Sequence, residues 1–163
     1  MLLWFWGTAF LTVWVVFHDP SIDYRFLLVG AILPDLIDAP FGGARVAHSV
    51  TFAVAVLLVV MLATIGRRTW RRRLLFLPIG MLLHLVYDGA FTNTRVFWWP
   101  FSGVGLPDAQ LPTVERGLAL DLLLELVGFV ILAWAWRRFG LRDAARRRLF
   151  WRTGTLVPPS VIH

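Results

Sequence analysis

Cysteine is absent from this chain of 163 residues, and every one of its 16 basic residues is an arginine. Without cysteine, the protein has neither disulfide bonds nor thiolate metal ligands. Charge is also scarce: 16% of the residues are charged, against about a quarter in a typical soluble domain. In contrast, 58% of the residues are hydrophobic. This composition predicts an integral membrane protein and argues against a soluble one.

The net charge of +6 raises the alternative of a nucleic-acid-binding protein. Most of the arginines, however, lie in two stretches that border apolar segments, with five in Gly66–Arg73 and seven between Arg137 and Arg152. Basic residues at the cytoplasmic ends of membrane helices are the commoner cause of such a pattern. We therefore expect no nucleic acid partner, and we expect the lipid bilayer to surround the chain.

Five apolar segments predict an all-α membrane bundle with about five membrane helices. They are Met1–Phe17, Phe26–Phe41, Val46–Ile65, Leu74–Phe91 and Gly117–Trp136. The first has no basic region and no small-residue cleavage site, so it is interpreted as a membrane helix and not as a signal peptide. The second contains Pro34, which should kink or end its helix. A re-entrant second segment would leave four full crossings.

The arginine-rich stretches also predict the orientation of the chain. Both should be cytoplasmic, which places the C-terminus inside and the loop Thr92–Arg116 outside an inner or plasma membrane. With five crossings the N-terminus is outside, and with a re-entrant second segment it is inside. Residues 1–152 are expected to form a single membrane-embedded domain, and residues 153–163 a flexible tail.

Ionisable side chains are unexpected in these segments, because each charged group in hydrocarbon costs roughly 2.5–3.5 kcal/mol on insertion scales. Counted from the arginine boundaries at roughly 1.5 Å per helical residue, seven of them fall in the outer half of the membrane. They are Asp35, Asp38, His48, His84, Asp88, Asp121 and Glu125. Their common depth predicts that residues from four helices converge on one site.

Two histidines and five carboxylates at one level require a cation. Imidazole and carboxylate together suit Zn, with Mn or Fe as alternatives. The pairs His84/Asp88 and Asp121/Glu125 are each four residues apart, so one helical face can supply two ligands. We therefore predict a centre of one or more divalent metal ions. The first-choice ligands are Asp35, His48, His84, Asp88 and Glu125.

Further polar residues are predicted to complete the site. Asp38 and Asp121 are second-choice ligands and, with Thr92 and Arg95, make up the predicted catalytic set. Arg95 and Arg116 are placed outside the membrane, where they can clamp a phosphate or a carboxylate. Hydrogen bonds that orient the ligands are expected from Ser49, Thr51, Tyr87 and Thr92.

Three blocks of this sequence resemble the YdjM-like family of membrane-bound proteins, which are inferred to be metal-dependent hydrolases. The blocks are Ile32-Leu33-Pro34-Asp35 with Asp38 following, His48-Ser49-Val50-Thr51, and the run from His84 to Ser102. The resemblance implies an all-helical inner-membrane protein with metal-dependent hydrolase activity. The family spaces its aspartate pair DxD, whereas this chain has DxxD, so either Asp35 or Asp38 can be the ligand. The family's N-terminal histidine has no counterpart in Leu3-Trp4-Phe5-Trp6.

The order of the candidate ligands is also similar, more distantly, to that of the helical zinc-dependent phospholipase C and nuclease superfamily. That similarity implies a phosphoester substrate, and the depth of the site favours a phospholipid or a lipid-linked phosphate. The predicted function is therefore hydrolysis of such a phosphoester by a metal-activated water.

Two non-enzymatic alternatives stand beside this prediction. The carboxylates can form the cation or proton path of a transporter, or the chain can be a partner protein descended from such hydrolases. A transport path should extend polar groups into the cytoplasmic half, which is purely apolar at Val54–Met61 and Leu74–Leu77. The pattern favours a site that opens to one side.

Overall fold

The computed structural model of the protein describes residues 1–41, 43–105 and 117–156. This part of the chain is helical, as the sequence predicts. Its α-helices are α1 (Leu2–Phe17), α2 (Tyr24–Gly30), α3 (Leu33–Asp38), α4 (Val50–Ala63), α5 (Arg68–Leu74), α6 (Phe76–Asp88), α7 (Thr94–Phe97), α8 (Leu118–Arg138) and α9 (Ala144–Thr153). Short 3-10 turns occupy Ala39–Phe41, Val46–His48 and Ala90–Thr92.

The second apolar segment is divided into α2 and α3, and the break falls before the proline. Ala31 and Ile32 separate the two helices, while Pro34 lies in the first turn of α3. A proline is well tolerated there, because the N–H that it lacks would have no partner within the helix. The sequence had suggested that Pro34 kinks or ends a helix; the segment is indeed interrupted, but Pro34 helps to start α3 after the break.

Both arginine-rich stretches form helices that the hydropathy pattern does not predict. Four of the seven residues of α5 are Arg, and α9 begins after Asp143. The Asp143 carboxylate accepts hydrogen bonds from the backbone N–H groups of Ala145 and Arg146. These donors cap the helix and hold the pKa of Asp143 below its ordinary value.

The helices pack around a buried apolar core between α1, α2 and α8. Its fully buried members include Phe5, Val13, Tyr24, Leu27 and Phe139, each no more than 2% exposed. Among the helix pairs, α1 packs most extensively against α8, and α2 against α6.

Glycines allow both of these helix pairs to approach to backbone contact. A Cβ on Gly7 of α1 would lie 2.8 Å from the carbonyl oxygen of Gly128 on α8. A Cβ on Gly80 of α6 would overlap a backbone carbonyl of α2, and one on Gly30 would overlap α6. Because glycine has no Cβ, the backbones of the two helices can approach this closely. The second crossing brings Ala31, the residue after α2, against α6.

The two arginine-rich helices lie at the same end of the bundle. Arg25 binds the Asp23 carboxylate through Nε and Nη2 at 2.9 and 2.7 Å, and donates to the Trp151 carbonyl of α9. Arg72 of α5 lies 3.6 Å from the carboxylate of Asp19, which is in the turn between α1 and α2. Helices α5 and α9 are therefore joined through the connection between α1 and α2.

The C-terminal segment continues this packing as far as the structure describes it. The N–H of Leu156 donates to the Pro20 carbonyl, and the N–H of Tyr24 donates to the Gly154 carbonyl, both at 2.9 Å. Of the tail predicted at 153–163, residues 157–163 lie outside the described residues, as do Gly42 and positions 106–116 of the long loop.

Candidate metal centre

Asp35, His48 and His84 come together although they lie on three separate elements. Asp35 belongs to α3, His48 ends the 3-10 turn before α4, and His84 lies in α6. One ligand atom from each residue lies within 4.8 Å of the other two. Both histidines are 1% exposed, whereas the Asp35 side chain is 29% exposed. The group is thus buried, and Asp35 is its most accessible member.

A backbone carbonyl determines how the His84 ring is oriented. Nδ1 of His84 lies 2.8 Å from the carbonyl oxygen of Ala31. Because a carbonyl can only accept a hydrogen bond, Nδ1 carries the proton and donates it. In the neutral ring, Nε2 then carries the lone pair, and it lies 3.6 Å from Oδ1 of Asp35. The contact with Ala31 depends on the close crossing of α2 and α6 at Gly30 and Gly80.

A buried carboxylate orients the His48 ring in the same manner. Nδ1 of His48 donates to Oδ2 of Asp38 at 2.7 Å. The Asp38 side chain also accepts the backbone N–H groups of Arg45 at 2.8 Å and Ala47 at 3.4 Å. Nε2 of His48 therefore faces the group, 3.3 Å from Oδ1 of Asp35. A carboxylate that accepts the second N–H of a ligating histidine is a common feature of metal sites.

This arrangement fits a divalent metal ion. The Nε2 atoms of His48 and His84 are buried and form no well-aligned hydrogen bond with any described residue, although they lie 3.3 and 3.6 Å from Oδ1 of Asp35. A buried polar atom without a partner costs about 1–3 kcal/mol, so two such atoms facing one carboxylate require an explanation. A cation bound by two imidazole nitrogens and one carboxylate oxygen supplies it, and this donor set suits Zn, Mn or Fe. The three residues can hold a metal ion.

No family model, no curated protein and no solved structure matches this chain. The similarity to the YdjM-like family therefore remains an expectation from its motifs, and the site has to be interpreted from its own geometry.

An aromatic residue that the sequence did not single out packs on the site. The ring of Phe5 in α1 lies 4.1 Å from the ring of His84, centroid to centroid, and the two histidine rings are 5.3 Å apart. Phe5 is 1% exposed and closes the site from the side of α1. A phenylalanine in a long apolar run carries no signal that separates it from its neighbours.

The remaining predicted ligands do not belong to the group of three. Asp88 is the last residue of α6 and is 1% exposed. Glu125 accepts the backbone N–H of Leu3 at 3.1 Å, and its other oxygen lies 3.9 Å from the amino group of Met1. Asp121 is half-buried in the first turn of α8. The group whose ligand atoms lie within 4.8 Å of one another includes none of these three carboxylates.

The predicted supporting residues mostly have local contacts. The Thr92 hydroxyl donates a hydrogen bond to the Gly89 carbonyl. The Tyr87 and Thr12 hydroxyl groups form a hydrogen bond of 2.5 Å with each other. The Ser49 hydroxyl accepts the Phe52 N–H and so caps α4 immediately after His48. Thr51 is half-buried in the first turn of α4, and Arg95 is exposed on α7. Arg116 lies outside the described residues.

Proposed function

We propose that this protein is a membrane-embedded, metal-dependent hydrolase that acts on a phosphoester of a lipid or lipid-linked substrate. One observation carries the proposal. Two buried histidines present Nε2 to a single carboxylate oxygen, and each has its Nδ1 engaged, one by Asp38 and one by the Ala31 carbonyl. Asp35, His48 and His84 would hold the metal, for which zinc is our first choice.

The exposure of α8 supports the membrane location. Of the helices in the described part of the chain, α8 is the one that is both long and apolar enough to cross a membrane, with 21 residues. Only 11% of its apolar window is buried, whereas the core helix of a soluble protein would be mostly buried. Leu122, Leu126, Phe129 and Val130 are each more than half exposed. A lipid environment accounts for such a surface, which would be a large apolar patch in water.

The other predicted spans are shorter as helices. Helices α1 and α4 have 16 and 14 residues, which correspond to roughly 24 and 21 Å against a hydrocarbon core of about 30 Å. We propose that flanking turns and local thinning of the bilayer accommodate this difference, because mismatch costs only fractions of a kcal/mol per Å. On this proposal, α1, α2 with α3, α4, α6 and α8 form the multi-pass bundle.

The arginine-rich end would then face the cytoplasm of an inner or plasma membrane. His84 lies eleven residues beyond Arg73, the last arginine of this boundary, or roughly 16 Å into a hydrocarbon core of about 30 Å. The site would thus lie toward the non-cytoplasmic side, at a depth that a lipid-linked phosphate can reach. The greater exposure of Asp35 supports approach of a substrate from that residue.

The roles of the protein groups follow from their contacts. A divalent ion bound here would act as a Lewis acid toward water and a phosphoryl oxygen. Asp38 holds His48, and the Ala31 carbonyl holds His84, so that both Nε2 lone pairs stay directed at one position. Phe5 excludes water from the face of His84. Asp35 contributes the negative charge, and because it is the most exposed of the three residues, a substrate would approach the metal beside it.

Metal analysis of the protein purified in a neutral detergent tests the first part of the proposal. We expect stoichiometric metal in the natural protein and its loss in His48→Asn and His84→Asn. His18→Asn is the matched control, because His18 is exposed at the arginine-rich end and asparagine tolerates its left-handed backbone conformation. Natural protein that takes up no zinc, manganese or iron would refute the metal centre.

Release of inorganic phosphate or of a headgroup from short-chain lipid phosphates tests the second part. The zinc-loaded natural protein and the His18→Asn control should release product, and the His84→Asn variant should not. Metal that binds without any release from these substrates would contradict the hydrolase assignment and leave a metal-binding membrane protein.

A further inference from the structure

A groove of about 740 Å³ lies at the arginine-rich end of the bundle, apart from the metal centre. Its volume is within the range of about 300–1,000 Å³ that is usual for small-molecule sites. One wall is helix α5 and the turn before α2, and the other is the start of α6. It is lined by Arg68, Arg72 and Arg73 on the polar side and by Phe17, Phe76 and Ile79 on the apolar side.

The polar side of this groove has an excess of positive charge. It also contains two carboxylates, but both are engaged: Asp23 by Arg25 at 2.7 Å, and Asp19 by Arg72 at 3.6 Å. Arg68 and Arg73 are exposed and form no ion pair with any described residue. Two guanidinium groups are therefore available for an anion. Guanidinium is well suited to phosphate, because it can donate two parallel hydrogen bonds to the phosphate oxygens.

The apolar side of the groove indicates a ligand that has an apolar part as well as an anionic group. Phe17 and Phe76 pack edge to face with ring centroids 6.0 Å apart. Leu75, just before α6, and Ile79, within its first turn, also line this apolar side. A phosphate ion would leave that surface uncovered, whereas the acyl chain of a lipid would cover it.

We propose that this groove binds an anionic phospholipid, with the phosphodiester of the headgroup on Arg68 and Arg73 and an acyl chain along Phe76 and Ile79. The proposal rests on the membrane location proposed above but not on the hydrolase activity. Anionic lipids are abundant in the cytoplasmic leaflet, and basic pockets between membrane helices on that side bind such headgroups. The arginine-rich end is the end that the charge distribution assigns to that leaflet.

Native mass spectrometry of the protein in a neutral detergent can count bound lipids. The probe is phosphatidylglycerol, and phosphatidylcholine with the same chains is the neutral comparison. We expect one tightly bound phosphatidylglycerol on the natural protein and no comparable binding of phosphatidylcholine. In the double variant Arg68→Gln/Arg73→Gln, the affinity should fall roughly 25-fold, since each arginine near a membrane surface contributes about a fivefold factor.

The matched control is Arg142→Gln/Arg148→Gln, which removes the same charge from exposed positions outside the groove. It should bind phosphatidylglycerol as the natural protein does. Equal losses in both double variants would overturn the proposal in favour of diffuse electrostatic attraction. Competition by inorganic phosphate at the same concentration as the lipid would overturn it in favour of an anion site.

This proposal and the proposed function can fail separately. A protein that stays in solution without detergent would refute the membrane location on which both depend. A detergent-dependent protein that binds zinc but no phosphatidylglycerol would refute only the groove. The zinc content of the Arg68→Gln/Arg73→Gln variant should equal that of the natural protein, and an equal content confirms that the variant is folded.

Discussion

Replacing Asp38 by asparagine or by alanine is expected to weaken metal binding by two different amounts. The carboxylate accepts three hydrogen bonds, from Nδ1 of His48 and from the backbone N–H groups of Arg45 and Ala47. It does not itself belong to the group of ligand atoms. Asp38 is therefore a positioning residue, and its loss should affect the metal through His48.

The two substitutions differ in what they leave behind. Asparagine keeps one acceptor oxygen, which can take the position of Oδ2 and serve His48 and Arg45, so the main loss is the negative charge. Alanine removes all acceptors and leaves the buried donors without partners. Changes in such supporting residues typically cost 10- to 100-fold in metal affinity. We expect about tenfold for Asp38→Asn and about a hundredfold for Asp38→Ala, with a further loss of about 1–3 kcal/mol in stability for Ala.

Zinc affinity is measured by competition with a chelating dye, on protein in a neutral detergent, beside the ligand variant Asp35→Asn. Asp35→Asn should lose zinc entirely, and Asp19→Asn, at the opposite end of the bundle, should not change it. Natural affinity in Asp38→Ala would refute the positioning role. A complete loss in Asp38→Asn, in protein that unfolds at the same temperature as the chelated natural protein, would make Asp38 a ligand and refute its positioning role.

Three further predictions concern the elements around the site. In Gly80→Ala, the new Cβ overlaps α2, so the Ala31–His84 hydrogen bond should be lost and zinc affinity should fall by at least tenfold. The control is Gly105→Ala, because Gly105 has open space around it. Equal zinc affinities in the two variants would contradict the role of the helix crossing. Tyr87→Phe should lower stability by about 1 kcal/mol, because the hydrogen bond to Thr12 is lost, and should leave the zinc content unchanged. Loss of zinc in this variant would show that Tyr87 supports the metal site. Chelation of the metal should lower the unfolding temperature, and added zinc should restore it. An unfolding temperature that changes with neither treatment would argue against a buried metal site.

The chemistry of the site was predictable to a useful degree from local patterns. An ionisable residue in an apolar segment is expensive, so His48 and His84 were recognisable without any structure. The depth argument also brought Asp35 to the same level as the histidines. The same argument also named Asp88, Asp121 and Glu125, which do not belong to the group of three, because depth alone does not distinguish them from the residues that meet. Depth is one coordinate, and the direction in which a side chain points around the helix axis needs the packing of neighbouring helices.

The assignment of the two aspartates depended on tertiary structure. Asp35 and Asp38 are three residues apart on a helix of six residues, and the sequence left either of them as the ligand. Folding places the Arg45–Ala47 backbone over Asp38, which therefore accepts those N–H groups and His48 Nδ1. Asp35 is left facing both Nε2 atoms. Their difference arises from long-range contacts and has no signature in the DxxD spacing.

By itself, the sequence determined the helical class, the apolar segments and the types of residue that can bind a metal, because these follow from composition, hydropathy and side-chain chemistry along the chain. Tertiary structure decided which residues meet and in which orientation. The Ala31 carbonyl is the clearest case: every residue has such a group, and only the crossing at Gly30 and Gly80 places this one against His84. Hydrophobic patterns are local, whereas the direction of the His84 lone pair depends on a partner 53 residues away in the sequence.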